Sequence, residues 1–180
     1  MPYEAPPHDD KCRALIMRGG GGKGAFEVGA LQAMTDMMHP IDYAYDVVAG
    51  VSIGGLNAGM LASFPRGAER AAVNYMTEFW LLNPVIELWE SFFLGFIQGL
   101  WRDTIYDTSI FVNVYHFVFD DFEEFFRELT VMSVDLNTGT IMSYDQNTPN
   151  DVLRQALLST ATVPAFLPPV KIDGMTLVDG

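Results

Sequence analysis

Four consecutive glycines, Gly19 to Gly22, interrupt this chain just after a short apolar run, Ala14-Leu15-Ile16-Met17. That break constrains the fold more than any other feature. A continuous apolar run that stops at glycine is how a strand buried on both faces meets a turn. Beyond the glycines, Phe26, Val28, Leu31, Met34 and Met38 recur near helical spacing across residues 25–38, and His39-Pro40 predicts the stop. Residues 46–51 (DVVAGV) are β-branched and glycine-bounded, which predicts a second buried strand, and residues 53–62 return to helix-like composition. Strand, glycine loop, helix and strand within about forty residues make a βαβ unit, with parallel pairing and a right-handed crossover.

The alternation continues along the chain. Helical patterns cover residues 68–82, 85–100 and 151–162, the last with Asn150 or Asp151 as its N-cap. Residues 129–135 and 140–144 read as strands joined through Asn137-Thr138-Gly139. Residues 170–173 and 175–178 flank Asp173-Gly174, a strong hairpin signal. Alternating strands and helices predict an α/β fold of three α/β/α layers around a mostly parallel central sheet. Residues 1–12 carry three prolines and no apolar run, and are expected to form a loose leader before one domain over residues 13–180. Because Asp179-Gly180 follows an apolar strand with no helix to cover it, that domain is expected to be truncated at its C-terminal end.

With 49% hydrophobic and 18% charged residues, the 180-residue chain has ample material for a core, which excludes disordered and fibrous classes. Ten Lys+Arg against 23 Asp+Glu give a formal charge of -13. Such a field repels phosphate backbones, so no nucleic-acid partner is expected, and simple adsorption to anionic lipid is disfavoured. Cys12 is the single cysteine, so neither a disulfide framework nor a thiolate metal site can form within the chain. The longest uncharged apolar stretch, residues 91–101, is too short to span a bilayer. A soluble, cytoplasmic protein is expected, with peripheral membrane contact at most.

Two glycine motifs carry chemistry. Gly19-Gly20-Gly21-Gly22-Lys23-Gly24 fits G-x-G-x-x-G between a strand and a helix. Its backbone N–H groups can converge on negative charge at a helix N-terminus. The charge could be a triphosphate, a dinucleotide pyrophosphate or the oxyanion of acyl transfer. The triphosphate fails, because Lys23 is followed by Gly24 where a P-loop needs Ser or Thr. The dinucleotide survives on pattern, with Asp42 or Asp46 near the distance for a ribose contact. The second motif, Gly50-Val51-Ser52-Ile53-Gly54, is G-x-S-x-G between strand and helix. There a sharp turn exposes Ser52, and the Ile53 N–H can face an oxyanion. A serine nucleophile needs a base, and none of His8, His39 and His116 lies where the Ser, acid, His order would put it. Asp179 is the remaining candidate, at the end of an apolar strand, and by spacing alone it reads equally as a base or as an Asp-Gly turn residue.

Taken together, these residues resemble the patatin-like phospholipases. The likeness rests on GGGGKG at 19–24, GVSIG at 50–54 and Asp179-Gly180, in that order. It extends to LNAG at 56–59, DLNTG at 135–139 and ALLSTATVPAFLPPV at 156–170, and so covers nearly everything from Ala14 onward. The resemblance implies a Ser-Asp dyad acyl hydrolase, with Ser52 as nucleophile, Asp179 as base and Gly19, Gly20 and Gly21 as oxyanion donors. Gly22 and Ile53 join that set, while Lys23, Gly24, Gly50, Gly54 and Gly180 complete the motifs. No metal and no cofactor are implied. The substrate implied is a phospholipid or another lipid ester. Residues 85–101 (VIELWESFFLGFIQGLW) read either as a core helix or as an apolar cap guiding acyl chains, and residues 117–126 admit both readings too. Two other functions remain open: a dinucleotide-binding oxidoreductase using the first glycine motif, and an inactive lipid-binding relative.

Overall fold

The computed structural model describes residues 9–82, 90–91, 106–107, 109–119 and 124–180. Strands β1 (Ala14–Met17) and β2 (Val47–Val51) pair in parallel, from Ala14 opposite Val47 to Met17 opposite Gly50. Helix α1 (Gly24–Met37) crosses between them, as the βαβ pattern predicts. It buries Val28, Leu31 and Thr35 along one stripe and stops ahead of Pro40. There a 3-10 turn over Pro40–Tyr43 takes over, and His39 Nδ1 accepts from the Ile41 N–H at 3.4 Å. Helix α2 (Ile53–Ala62) has the expected bounds and is buried from Gly54 through Ala62, so apolar residues all round replace an amphipathic stripe. Then come α3 (Glu69–Leu82), the two-residue strands β3 (Glu90–Ser91) and β4 (Tyr106–Asp107), and α4 (Ser109–Phe119). The C-terminal part holds β5 (Glu128–Asp135), β6 (Ile141–Tyr144), α5 (Asn150–Ser159), β7 (Val170–Ile172) and β8 (Met175–Asp179).

The central sheet follows the path β1-β2-β5-β8-β7, with β6 also on β5. Strands β1, β2, β5 and β7 run one way while β6 and β8 run against them, a mixed but mostly parallel sheet with flanking helices in a three-layer α/β/α arrangement. Strand β5 organises it. Val131 and Met132 pair with β2 on one side and β6 on the other. Ser133 and Val134 pair with β8 on one side and β6 on the other. A strand has two edges, so β2 and β8 lie end to end along the same one. The last residue of β2, Val51, faces Met132, and the last residue of β8, Asp179, faces Ser133. Two distant strands therefore terminate at one point.

At the start of β5, Arg127 and Glu69 form a buried ion pair, with side chains 0% and 1% exposed. Arg127 also donates to the carbonyls of Phe64, Tyr45 and Pro65, each at 2.9 Å, and the Tyr45 N–H donates to Glu69 Oε1 at 3.1 Å. These bonds tie β5, α3 and the loops entering β2 and α3 into one unit.

Several expectations are corrected. Within the helix predicted over 85–100, the described residues Glu90–Ser91 form a strand antiparallel to Tyr106–Asp107, in a segment whose aromatic content suits a sheet; the rest lies outside the described residues. Helix α5 ends at Ser159, not 162, because the turn tightens to i→i−3 bonds (Ala161 N–H to Leu158, Thr162 N–H to Ser159) before Val163-Pro164. Its N-cap is the extended Pro149, not Asn150 or Asp151, and no side chain caps it. Helix α4 was hidden in an aromatic run of modest helix propensity; it buries Tyr115, Val118 and Phe119. The Asp173-Gly174 turn is as expected, with φ of 49° and 79°, the two positive values a tight hairpin needs. In the leader, residues 1–8 lie outside the described residues, while Asp9 grips Arg13 through two 2.7 Å bonds.

Candidate active site

Ser52 stands between β2 and α2 with φ 58° and ψ -136°, a backbone conformation that costs a non-glycine residue about 1–3 kcal/mol. Such strain persists only where the surroundings over-determine it. Here the determinants are the flanking glycines. A Cβ on Gly50 would lie 2.3 Å from the Gly54 carbonyl oxygen, and one on Gly54 would lie 2.6 Å from the carbonyls of Met17 and Arg18. The turn can thus form only with glycine at both positions. Its outcome is a half-buried hydroxyl at the C-terminal end of β2 and at the start of a helix whose first N–H groups, Ile53's among them, have no intrahelical acceptor.

The abutting ends of β2 and β8 bring Asp179 to that hydroxyl. Ser52 Oγ donates to Asp179 Oδ2 at 2.7 Å, across 127 residues of sequence. Burial pushes the Asp179 carboxyl above the usual aspartate range, and the bond from Ser52 opposes this only in part. The site thus holds a carboxylate of raised proton affinity hydrogen-bonded to a serine in a strained backbone conformation. Gly180 follows where a Cβ would meet Val51 Cγ2 at 2.7 Å and the Met132 carbonyl oxygen at 2.9 Å.

The glycine loop closes the site from the β1 side. A Cβ on Gly19 would lie 2.8 Å from Ser52 Cβ, so glycine alone lets the loop approach this closely. Gly20, Gly21 and Gly22 are exposed, and Gly21 has φ +55°. The Lys23 and Gly24 N–H groups are used inside the loop, bonding Gly20 and Gly21 carbonyls. Gly24 is buried, and a Cβ there would meet Ile53 Cγ1 and Trp80. Both ends of the loop are tethered. The Arg18 N–H donates to Glu27 Oε1 at 3.0 Å, and Asn57 Nδ2 donates to Glu27 Oε2 at 3.0 Å and to the Gly24 carbonyl at 3.1 Å. Trp80 Nε1 donates in turn to Asn57 Oδ1 at 3.1 Å.

Sequence reasoning missed Asn57, Trp80 and Thr160 as individual residues. Asn57 carried a signal, being a polar residue in an otherwise apolar helix. Asp135 of DLNTG is structural: it is buried, and Thr138 Oγ1 and the N–H groups of Asn137 and Thr176 hold its carboxyl below the usual range. The acids proposed for a ribose contact are not brought to the glycine loop. Asp46 precedes β2, at the opposite end of the sheet, and its carboxylate accepts from the Arg13 N–H at 2.8 Å and meets Arg66 Nε at 2.8 Å. Asp42 lies 3.8 Å from Arg13. Among the described residues, no helix is long and apolar enough to cross a membrane.

Comparison with known proteins shows the family and a likeness of fold. The sequence profile described as patatin-like phospholipase matches residues 15–180. A patatin-like phospholipase domain-containing protein of Caenorhabditis elegans is 30% identical over 179 residues, covering 92% of this chain and 12% of that protein. The chain thus spans about an eighth of that relative's length. Among solved structures, VipD from Legionella pneumophila matches with a TM-score of 0.55 at 13% identity, over 94% of this chain and 46% of VipD's, a likeness of fold.

Proposed function

The chain belongs to the patatin-like phospholipase family, and on that premise we propose that it is a serine acyl hydrolase cleaving fatty-acyl esters of phospholipids or related lipids. One observation carries the reading: the 2.7 Å bond from a strained Ser52 to an Asp179 whose proton affinity is raised by burial. In this reaction Ser52 Oγ attacks the ester carbonyl carbon while Asp179 accepts the hydroxyl proton. Two or three backbone N–H donors drawn from Gly19, Gly20, Gly21, Gly22 and Ile53 hold the oxyanion, each worth about 3 kcal/mol in the transition state. The carbon–oxygen bond to the leaving alcohol then breaks, and Asp179 returns its proton to that oxygen. Water attacks the acyl-enzyme with Asp179 again as base, releasing the acid and restoring Ser52. No step needs a metal or a cofactor.

The surroundings support a lipid substrate. A groove of about 710 Å³ beside the glycine loop is lined by the apolar Leu15, Ile16, Phe26 and Met34 and by the charged Arg18, Lys23 and Glu27, and it reaches Gly19 and Gly20, next to Ser52. Ile16 and Phe26 are each 79% exposed, and Leu81 and Leu82 at the end of α3, Val163 and Phe166 are exposed as well. Exposed apolar side chains of this kind favour peripheral contact with a lipid surface. The dinucleotide alternative leaves the Ser52–Asp179 bond without a role, and an inactive relative has no use for a strained serine.

A fluorophosphonate probe tests the assignment. Labelling of the wild-type chain at Ser52, abolished in Ser52→Ala, is the expected result. Undiminished labelling of the variant removes Ser52 as nucleophile.

A further inference from the structure

Both members of the dyad are gripped by one three-residue turn, directly after α5. Thr160 is fully buried, and its Oγ1 accepts from the Ser52 N–H at 2.9 Å while donating to the Met132 carbonyl. Two positions further on, the Thr162 carbonyl accepts from the Asp179 N–H at 3.0 Å. The turn is itself braced. Thr162 Oγ1 donates to the Ser159 carbonyl at 2.8 Å, and the Ser159 and Ser133 hydroxyls meet at 2.6 Å, Ser133 being the residue paired with Asp179 across the sheet. All four of these residues are buried, at 0–1% exposure.

We propose that this turn is the positioning element of the dyad, and that Thr160 sets the Ser52–Asp179 geometry through the Ser52 main chain. The inference rests on the acyl-hydrolase reading above and adds to it a residue that never touches substrate. A hydroxyl can accept from one backbone group and donate to another at the same atom, which no aliphatic side chain can do. Ser52 N–H follows the last residue pair between β2 and β5, so the sheet ladder offers it no partner. Thr160 supplies that partner and ties it to Met132, the residue at which β2 ends. Ser52 and Asp179 are then fixed to one turn and shift together when it shifts, which preserves their separation. A displacement of about 1 Å in such a constellation can cost on the order of 100-fold in rate.

The test compares Thr160→Val, which keeps the shape and removes both bonds, with Thr160→Ser, which keeps the hydroxyl. On an ester substrate, Thr160→Val should lose about 10–100-fold in kcat with KM within about threefold, and Thr160→Ser should recover to within about fivefold of wild type. A Val variant as active as wild type, a loss confined to KM, or equal impairment in both variants overturns the proposal. Amide hydrogen exchange adds a readout independent of activity and of any variant. The Ser52 amide should be protected in the wild-type chain, and exchange at the rate of an unstructured amide overturns the proposal even if both variants fail to fold. A wild-type chain that is inert to substrate and probe but protected at Ser52 instead removes the hydrolase reading and leaves the Thr160 bond in place.

Discussion

Two places along β5, its start and its middle, are built on opposite plans. At its start, Arg127 meets Glu69 and three carbonyls, so a buried charge is matched by a counter-charge and by oriented dipoles. At Met132 and Ser133, Asp179 is also partly buried, yet among the described residues its carboxylate accepts one hydrogen bond, from Ser52, and has no cation beside it. The first arrangement fixes elements. The second leaves an acid wanting a proton, which is poor for stability and suitable for a base. The difference shows that burial alone does not make a functional group; what matters is how much of its charge the surroundings already satisfy.

That contrast can be broken at either place. The largest expected effect is at the dyad. Asp179→Asn can still accept the Ser52 hydrogen bond but cannot take the proton, and kcat for ester hydrolysis should fall by about 10³–10⁴-fold with the fold intact. Activity above a tenth of wild type in the purified variant shows that another base operates. Next is the ion pair. Glu69→Ala strands the Arg127 guanidinium in the interior and should cost about 3–5 kcal/mol in denaturant unfolding. The rate per folded molecule should change little, because the pair lies at the start of β5, away from Met132 and Ser133. A large loss of kcat in folded protein would mean that the two places are coupled.

The smallest effect is in pH. Because Asp179 titrates above the ordinary aspartate range, kcat/KM should fall on acidification at a pH higher than the usual aspartate value near about 4. Stability carries the opposite sign. A raised native pKa means that ionisation of Asp179 weakens the fold, so its contribution is full below the unfolded pKa and is lost as pH rises through the native one. Asp179→Asn should therefore gain stability over wild type on going from acid to neutral pH. A constant difference across that range rules out the raised pKa. Asp135, held low by its turn, behaves the other way and stabilises the fold above its unfolded pKa.

Much of this was legible because glycine requirements are local. Gly19, Gly50 and Gly54 mark places where a Cβ would collide with Ser52 or with backbone, and those collisions lie within the βαβ unit and the start of the helix that follows it. Asp179 was half legible: spacing left it between base and turn residue, and only the register on β5 brings it to Ser52. The Arg127–Glu69 pair left no trace, since 58 residues separate its members and charged side chains read as solvated by default. Thr160 was hidden for a similar reason. A threonine near a helix end has several local uses, and the one it has here depends on a strand 108 residues earlier.

The end-to-end meeting of β2 and β8 has a consequence during synthesis. The alcohol is made early, just after the βαβ unit, whereas its partner acid emerges from the ribosome 127 residues later. Until the β7–β8 hairpin docks, a growing polypeptide holds Ser52 without the carboxylate that its hydroxyl meets in the folded chain.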